Sequence, residues 1–110
     1  MAAKFVDAVT ATAPIMTLVG RIRGIQGYQI IRETPDGRGG VEFELIHSIS
    51  MTSWGENILI HLAPVNDTQT RVDIKSECSL PTQLFDWGKN KKNVVTIMNY
   101  LLNGIMVSRI

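Results

Sequence analysis

The pattern of apolar and polar positions divides this chain into seven elements. Residues 4–11, "KFVDAVTA", alternate around Phe5 and Val9 and predict a first strand. Ile15, Leu18, Val19, Ile22 and Ile25 then recur at helical spacing. Thr12 can cap that helix, Pro14 suits its first turn, and Gly27 is expected to end it. Gly20 and Gly24 lie inside it, and close packing against a sheet is the expected reason.

Four further strands follow. Residues 28–34 and 41–49 are joined by "PDGRGG" (35–40), whose Pro-Asp-Gly order suits a turn. "SMTSWGE" (50–56) interrupts the alternation, and "NILIHLAP" (57–64) resumes it. After a turn at 65–69, residues 70–78 place Val72, Ile74, Ser76 and Cys78 on one face and Arg71, Asp73, Lys75 and Glu77 on the other. Residues 79–85 cross over. A long helix is expected from about Trp87 to Asn103, with Asn103-Gly104 as its stop.

Short loops make strands two to five an antiparallel meander. Pairing the first strand beside the last lets the first helix return across one face. The expectation is one α+β domain over residues 1–110, in two layers, with the order β-α-β4-α. Its five-stranded antiparallel sheet has the spatial order 2-3-4-5-1 and carries both helices on one face. The opposite face would be solvated, carrying Glu42, Glu44, Asn57, His61, Arg71, Asp73 and Lys75, with Ile46 and Leu59 as apolar exceptions.

Composition narrows the function classes. Hydrophobic residues are 45% and charged residues 19%, a globular profile. Net charge is +1, so any electrostatic partner must be met by a local patch. Cys78 stands alone, which excludes an intramolecular disulfide and a cysteine zinc cluster. The first residues lack the apolar core of a signal peptide, and no stretch reaches the length of a membrane span. A soluble cytoplasmic protein without a membrane partner is the expectation.

The last helix is unusual. Val94, Val95, Ile97, Met98, Leu101, Leu102, Ile105 and Met106 would cover about 180° of it, wider than the ~100° one sheet contact needs. The excess suggests a deep seat between sheet and first helix, a second subunit, or an apolar ligand cavity. The apolar tail "IMVSRI" after Asn103 and Gly104 tilts toward the last two. The helix also begins with lysines, at the dipole end where cations are unfavourable. Lys89 and Lys92 fall opposite the stripe, and Asn90 and Lys91 fall inside it. Asp86 is the expected N-cap, with Trp87 as a plug and with Asn90 and Asn93 bonding to neighbouring backbone. An anion site built from helix amides with Lys89, Lys91 and Lys92 is the functional alternative.

The segment "TRVDIKSECSLPTQLFDWGKNKKNV" resembles the C-terminal signature of a family of small, uncharacterised bacterial proteins, which ends in D-W-G-K-N-x-x-N-V. The upstream "SWGE" and "TAP" are similar too. The resemblance implies a TATA-binding-protein-like fold, or a reduced START-like helix-grip domain, in which apolar ligands lie between sheet and C-terminal helix. It marks Trp54, Gly55, Ser76, Asp86, Trp87, Gly88, Lys89, Asn90 and Asn93 as signature positions and supplies no catalytic residue.

His47 is expected on the helix side of the sheet and His61 on the open side, so they do not converge on a metal. His61 could meet Asp73 or Glu44. Cys78 reads as a small buried thiol, no serine stands in a nucleophile elbow, and no cofactor is implied. The leading expectation is a non-enzymatic binding or assembly module. It would hold a small apolar, amphipathic or anionic ligand between sheet and C-terminal helix, or form a homodimer through that helix. Its candidate ligand residues are His47, Trp54, Asp86, Trp87, Lys89, Asn90, Lys91 and Asn93. One alternative is an intracellular enzyme with a START-like or cyclase-type cavity, which would bring His47, Cys78 and a signature residue into one site. The other is a weak nucleic-acid binder through Lys89 and Lys92, which near-neutral charge disfavours.

Overall fold

A computed structural model describes residues 4–47, 55–78 and 88–109. The elements run β1 (Lys4–Ala11), α1 (Ile15–Arg23), β2 (Tyr28–Pro35), β3 (Val41–His47), β4 (Glu56–Asn66), β5 (Gln69–Cys78), α2 (Lys89–Leu101) and β6 (Val107–Arg109). The sheet order is β2-β3-β4-β5-β1-β6, antiparallel throughout. The α+β class and the 2-3-4-5-1 order agree with the sequence. The strand count does not: the sheet has six strands, because residues 107–109 pair with residues 9–11 of β1.

Alternation decides which face the helices cover. Phe43 and Leu45 of β3, Ile58, Ile60 and Leu62 of β4, and Val72 of β5 are fully buried, and Ile74 and Val9 nearly so. Leu18, Val19 and Ile22 of α1 and Val94, Ile97, Met98 and Leu101 of α2 join them in one core. Each such side chain contributes roughly 1.5–3 kcal/mol by leaving water. Helix α1 packs on β4, α2 packs on β1 and β5, and the two helices touch. Their junction is polar. Arg21 of α1 donates from Nη1 to the carbonyls of Leu101 (2.9 Å) and Asn103 (2.8 Å), and the Tyr100 hydroxyl donates to the carbonyl of Arg21 (2.7 Å). A guanidinium thus caps the negative end of α2, whose own last turn has no basic residue.

Element ends differ from expectation in instructive ways. Helix α1 stops at Arg23 with Gly24 as its C-cap, and Pro14 is the N-cap. Gly20 faces open space and not the sheet, so close packing does not explain it. Gly40 does have a packing reason: a Cβ there would collide with the Asp36 carboxylate and the Leu62 carbonyl. Strand β4 continues to Asn66, with a register shift between Pro64 and Asn66, and Asn66 Oδ1 accepts from the Thr68 amide at 2.9 Å. Helix α2 begins at Lys89 after Gly88, which adopts φ 79° as N-cap residue, a left-handed conformation suited to glycine. Asp86 and Trp87, the expected cap and plug, lie outside the described residues.

Helix α2 is also narrower than expected. Asn90, Asn93, Val94, Ile97, Met98 and Leu101 are buried along it, an arc of about 140°. Lys91 is exposed, not within the buried stripe, because it falls at the arc's margin. Val95 is exposed as well, and Leu102 only half-buried. Ile105 and Met106 lie beyond the helix, which has ended at Leu101. Met106, at 79% exposure, is the chain's most exposed large apolar side chain among those described.

Candidate ligand site

Helix α2 has a different chemical environment at each end. At its N-terminal end, polar side chains from the sheet reach up to Asn90 and Asn93. Ser76 Oγ donates to Asn90 Oδ1 (2.8 Å), and Asn90 Nδ2 donates to Cys78 Sγ (3.4 Å). Asn93 Nδ2 donates to Glu56 Oε1 (2.9 Å) and to Ser76 Oγ (3.2 Å), while Asn93 Oδ1 accepts from the Tyr28 hydroxyl (3.2 Å). Glu56 is 4% exposed. His47 Nδ1 lies 3.7 Å from Glu56 Oε1, and the His47 ring tilts against Tyr28 with centroids 5.2 Å apart. Burial and the nearby Glu56 carboxylate raise the Tyr28 hydroxyl above the ordinary phenol range. No buried side-chain nitrogen or oxygen among the described residues lacks a partner.

Three of the expected site residues, His47, Asn90 and Asn93, therefore belong to one connected cluster. The two asparagines bond to side chains of β4 and β5, where neighbouring backbone was expected. Lys89, Lys91 and Lys92 point to solvent around them. Trp54, Asp86 and Trp87 lie outside the described residues. His47 and Cys78, which the enzyme alternative needs together, are separated along the chain of bonds by Glu56, Asn93, Ser76 and Asn90.

Two cluster members were missed in the sequence, Glu56 and Tyr28. Glu56 had been placed in a pattern-breaking segment. Yet it shares the parity of Ile58, Ile60 and Leu62, so the alternation itself puts it on the helix side. An acid at the inward end of an apolar row was the available signal.

The C-terminal end of α2 is apolar and open. Helix α2 covers β1 and β5, and β6 extends the sheet beyond that cover. A groove of ≈ 490 Å³ results between helix and sheet edge. Val9, Met98, Leu102 and Val107 supply its apolar surface, and Asn99, Asn103 and the Asp7–Arg109 ion pair its polar rim. None of the expected ligand residues that are described, His47, Lys89, Asn90, Lys91 and Asn93, lines it. A second depression of ≈ 510 Å³ crosses the open sheet face over Val6, Ala8 and Leu59. That face is a mosaic of paired charges: Arg32–Glu44 (3.4 Å), Arg71–Asp73 (2.9 Å), Lys75–Glu77 (3.4 Å), and His61 with Asp36 of the β2–β3 turn (2.8 Å). His61 thus meets Asp36, and not Asp73 or Glu44. Pairs of both signs do not form the basic stripe that nucleic acid requires.

Among the described residues, no group of three His, Cys, Asp or Glu side chains could hold a metal ion. No helix among them is long and apolar enough to cross a membrane. No protein-family model matches the chain, so the signature resemblance finds no matching model. No curated protein sequence matches it. Among solved structures the chain is similar to Ara h 8.0201, with 12% identity over 92% of this chain and 95% of that one, and a TM-score of 0.41.

Proposed function

We propose that this protein is a small-ligand binding module that holds an amphipathic molecule between the sheet and the C-terminal half of α2. The groove carries this reading. Its size falls within the ≈ 300–1,000 Å³ of small-molecule sites, and its mix of apolar wall and few polar groups is what such sites use. An aliphatic chain would lie against Met98, Leu102 and Val107. A polar head would meet Arg109 and Asp7 at the rim. The location differs from the helix N-terminus favoured by the sequence, while the class of ligand and the sheet-and-helix grip are retained.

Native mass spectrometry of protein purified from its own cells tests the reading. A bound species of a few hundred daltons or less supports it, provided that Val107→Asp protein, which carries a charge in the apolar wall, loses that species. Protein that is free of ligand and takes up no medium-chain fatty acid or alcohol on addition contradicts it. The same spectrum reports subunit number, and so tests the homodimer reading. Exposed Val95 on α2 and exposed Met106 and Val107 near the sheet edge favour that second reading as the place where two copies would meet.

A further inference from the structure

Asp7 and Arg109 line both the groove beside α2 and the depression on the open sheet face. The reason is where β6 stops. It pairs with β1 only through Val9, Thr10 and Ala11, so among the described residues Lys4–Ala8 form the bare edge of the sheet. The edge is recessed there by one strand, and the two faces meet across that notch. Alternation sorts the side chains of β1: Asp7 and Val9 face the helices, and Val6 and Ala8 face the open side. From its place opposite Val9, Arg109 reaches along the notch to the Asp7 carboxylate. Asp7 Oδ1 also accepts from the Ala8 amide at 2.9 Å. An arginine offers several N–H donors, and among the described residues only Asp7 engages those of Arg109, whose side chain is 73% exposed. Beyond it, the open-face depression has an apolar floor of Val6, Ala8 and Leu59. Val6 is 60% exposed, an apolar side chain the fold leaves uncovered.

We infer that the groove and the open-face depression are two halves of one cleft, which turns round the sheet edge at Arg109, and that this cleft takes an amphiphile whose carboxylate lies between a long and a short apolar arm. An N-acyl amino acid with an apolar side chain has that shape. The inference rests on the groove reading above for its long arm. The acyl chain lies against Met98, Leu102 and Val107. The carboxylate meets the remaining donors of Arg109, the cation common to both halves. The amino-acid side chain crosses the notch onto Val6, Ala8 and Leu59. The carboxylate does not itself go further, because Asp73 and Glu42 border the open half. A plain fatty acid ends at the guanidinium and leaves the second half of the cleft empty.

The experiment is an NMR titration of isotope-labelled protein with decanoate, N-decanoylglycine and N-decanoyl-leucine in turn. All three should shift the amides of Leu102 and Val107 saturably. Only the leucine conjugate should also shift Val6, Ala8 and Leu59, and with the same midpoint. It should bind about tenfold more tightly than the glycine conjugate, the worth of partly covering an isobutyl group. Val6→Ser, a neutral change at an exposed position, should remove most of that difference while the affinity for decanoate stays at the wild-type level. If none of the three probes shifts the groove amides, the groove reading fails and this inference fails with it. If decanoate saturates the groove but the leucine conjugate binds no better than the glycine one, the groove stands alone and the continuous cleft is overturned. Open-face shifts with a separate midpoint, or a tenfold gain that persists in full in Val6→Ser, overturn it as well.

Discussion

Asn93 and Glu56 lie 37 positions apart in sequence and meet at 2.9 Å, amide nitrogen to carboxylate oxygen. That bond joins the first turns of α2 to the first residue of β4, and Asn93 also holds Ser76 of β5 and Tyr28 of β2. Asn93→Ala removes a donor from a buried carboxylate whose other contact among the described residues is His47 at 3.7 Å. The expected loss is about 3 kcal/mol. Asn93→Asp should be worse near neutral pH, because two carboxylates would then face each other. One of them would titrate at a raised pH, so this variant should regain stability on mild acidification. Chemical denaturation at two pH values checks both.

Arg21 is expected to matter through the end of α2 and not through an ion pair. Its Nη1 serves two carbonyls, of Leu101 and Asn103. Arg21→Ala should cost about 1–2 kcal/mol, since these are hydrogen bonds from a charged donor whose acceptors can return to water. Arg21→Lys should recover part of it. Amide exchange in the last turn of α2 should rise in Arg21→Ala, which distinguishes a lost cap from a general loss of stability.

The turn between β2 and β3 gives a pH prediction. Hydrogen bonds from His61 and from the amides of Arg38 and Gly40 hold Asp36 below the ordinary carboxylate range. A depressed folded-state value means that the folded chain binds the proton less readily than the unfolded chain does. The stabilising contribution is complete above the unfolded value, about 4, and is lost as pH falls through the lower folded value. The melting temperature of Asp36→Asn should therefore fall less steeply than that of wild type as pH drops from 5 to about 3. Parallel curves for the two proteins would contradict this.

How much of this was legible depends on which residues carry the signal. The five-strand order followed from Val41, Phe43 and Leu45 and from the alternation of residues 70–78, because one buried face leaves period two in the sequence. Strand β6 was not legible. It is three residues long and fully exposed, so Val107, Ser108 and Arg109 carry no alternation, and only pairing with β1 defines it. Its apolar neighbours read as a tail. The groove was invisible for the same reason, as it exists only where β6 extends the sheet past α2. Ser76 and Asn90 stood out as polar residues at inward positions and Asn93 as a position of the signature resemblance, but their connection through Glu56 and Tyr28 is a tertiary fact.

Strand β6 can be tested by itself. Met106 O accepts from the Thr12 amide at 2.8 Å, so antiparallel alternation turns the amide of Ser108 toward Thr10. Ser108→Pro removes that donor. Amide exchange at Thr10 and Thr12 should accelerate while β3 and β4 keep their protection, because the core does not include β6. Unchanged exchange at both threonines would mean that β6 contributes nothing to holding the sheet edge.

The most direct measurement is a titration of isotope-labelled protein with a medium-chain fatty acid, observed residue by residue. A ligand in the groove predicts saturable amide shifts at Val9, Leu102, Gly104 and Val107, and their loss in Val107→Asp. Arg109→Gln should weaken the acid more than the corresponding alcohol, since only the acid's head carries a charge for the guanidinium at the rim. Shifts confined to the open sheet face around Leu59 and Lys75, or no saturable shift at all, would contradict a binding module built between sheet and helix.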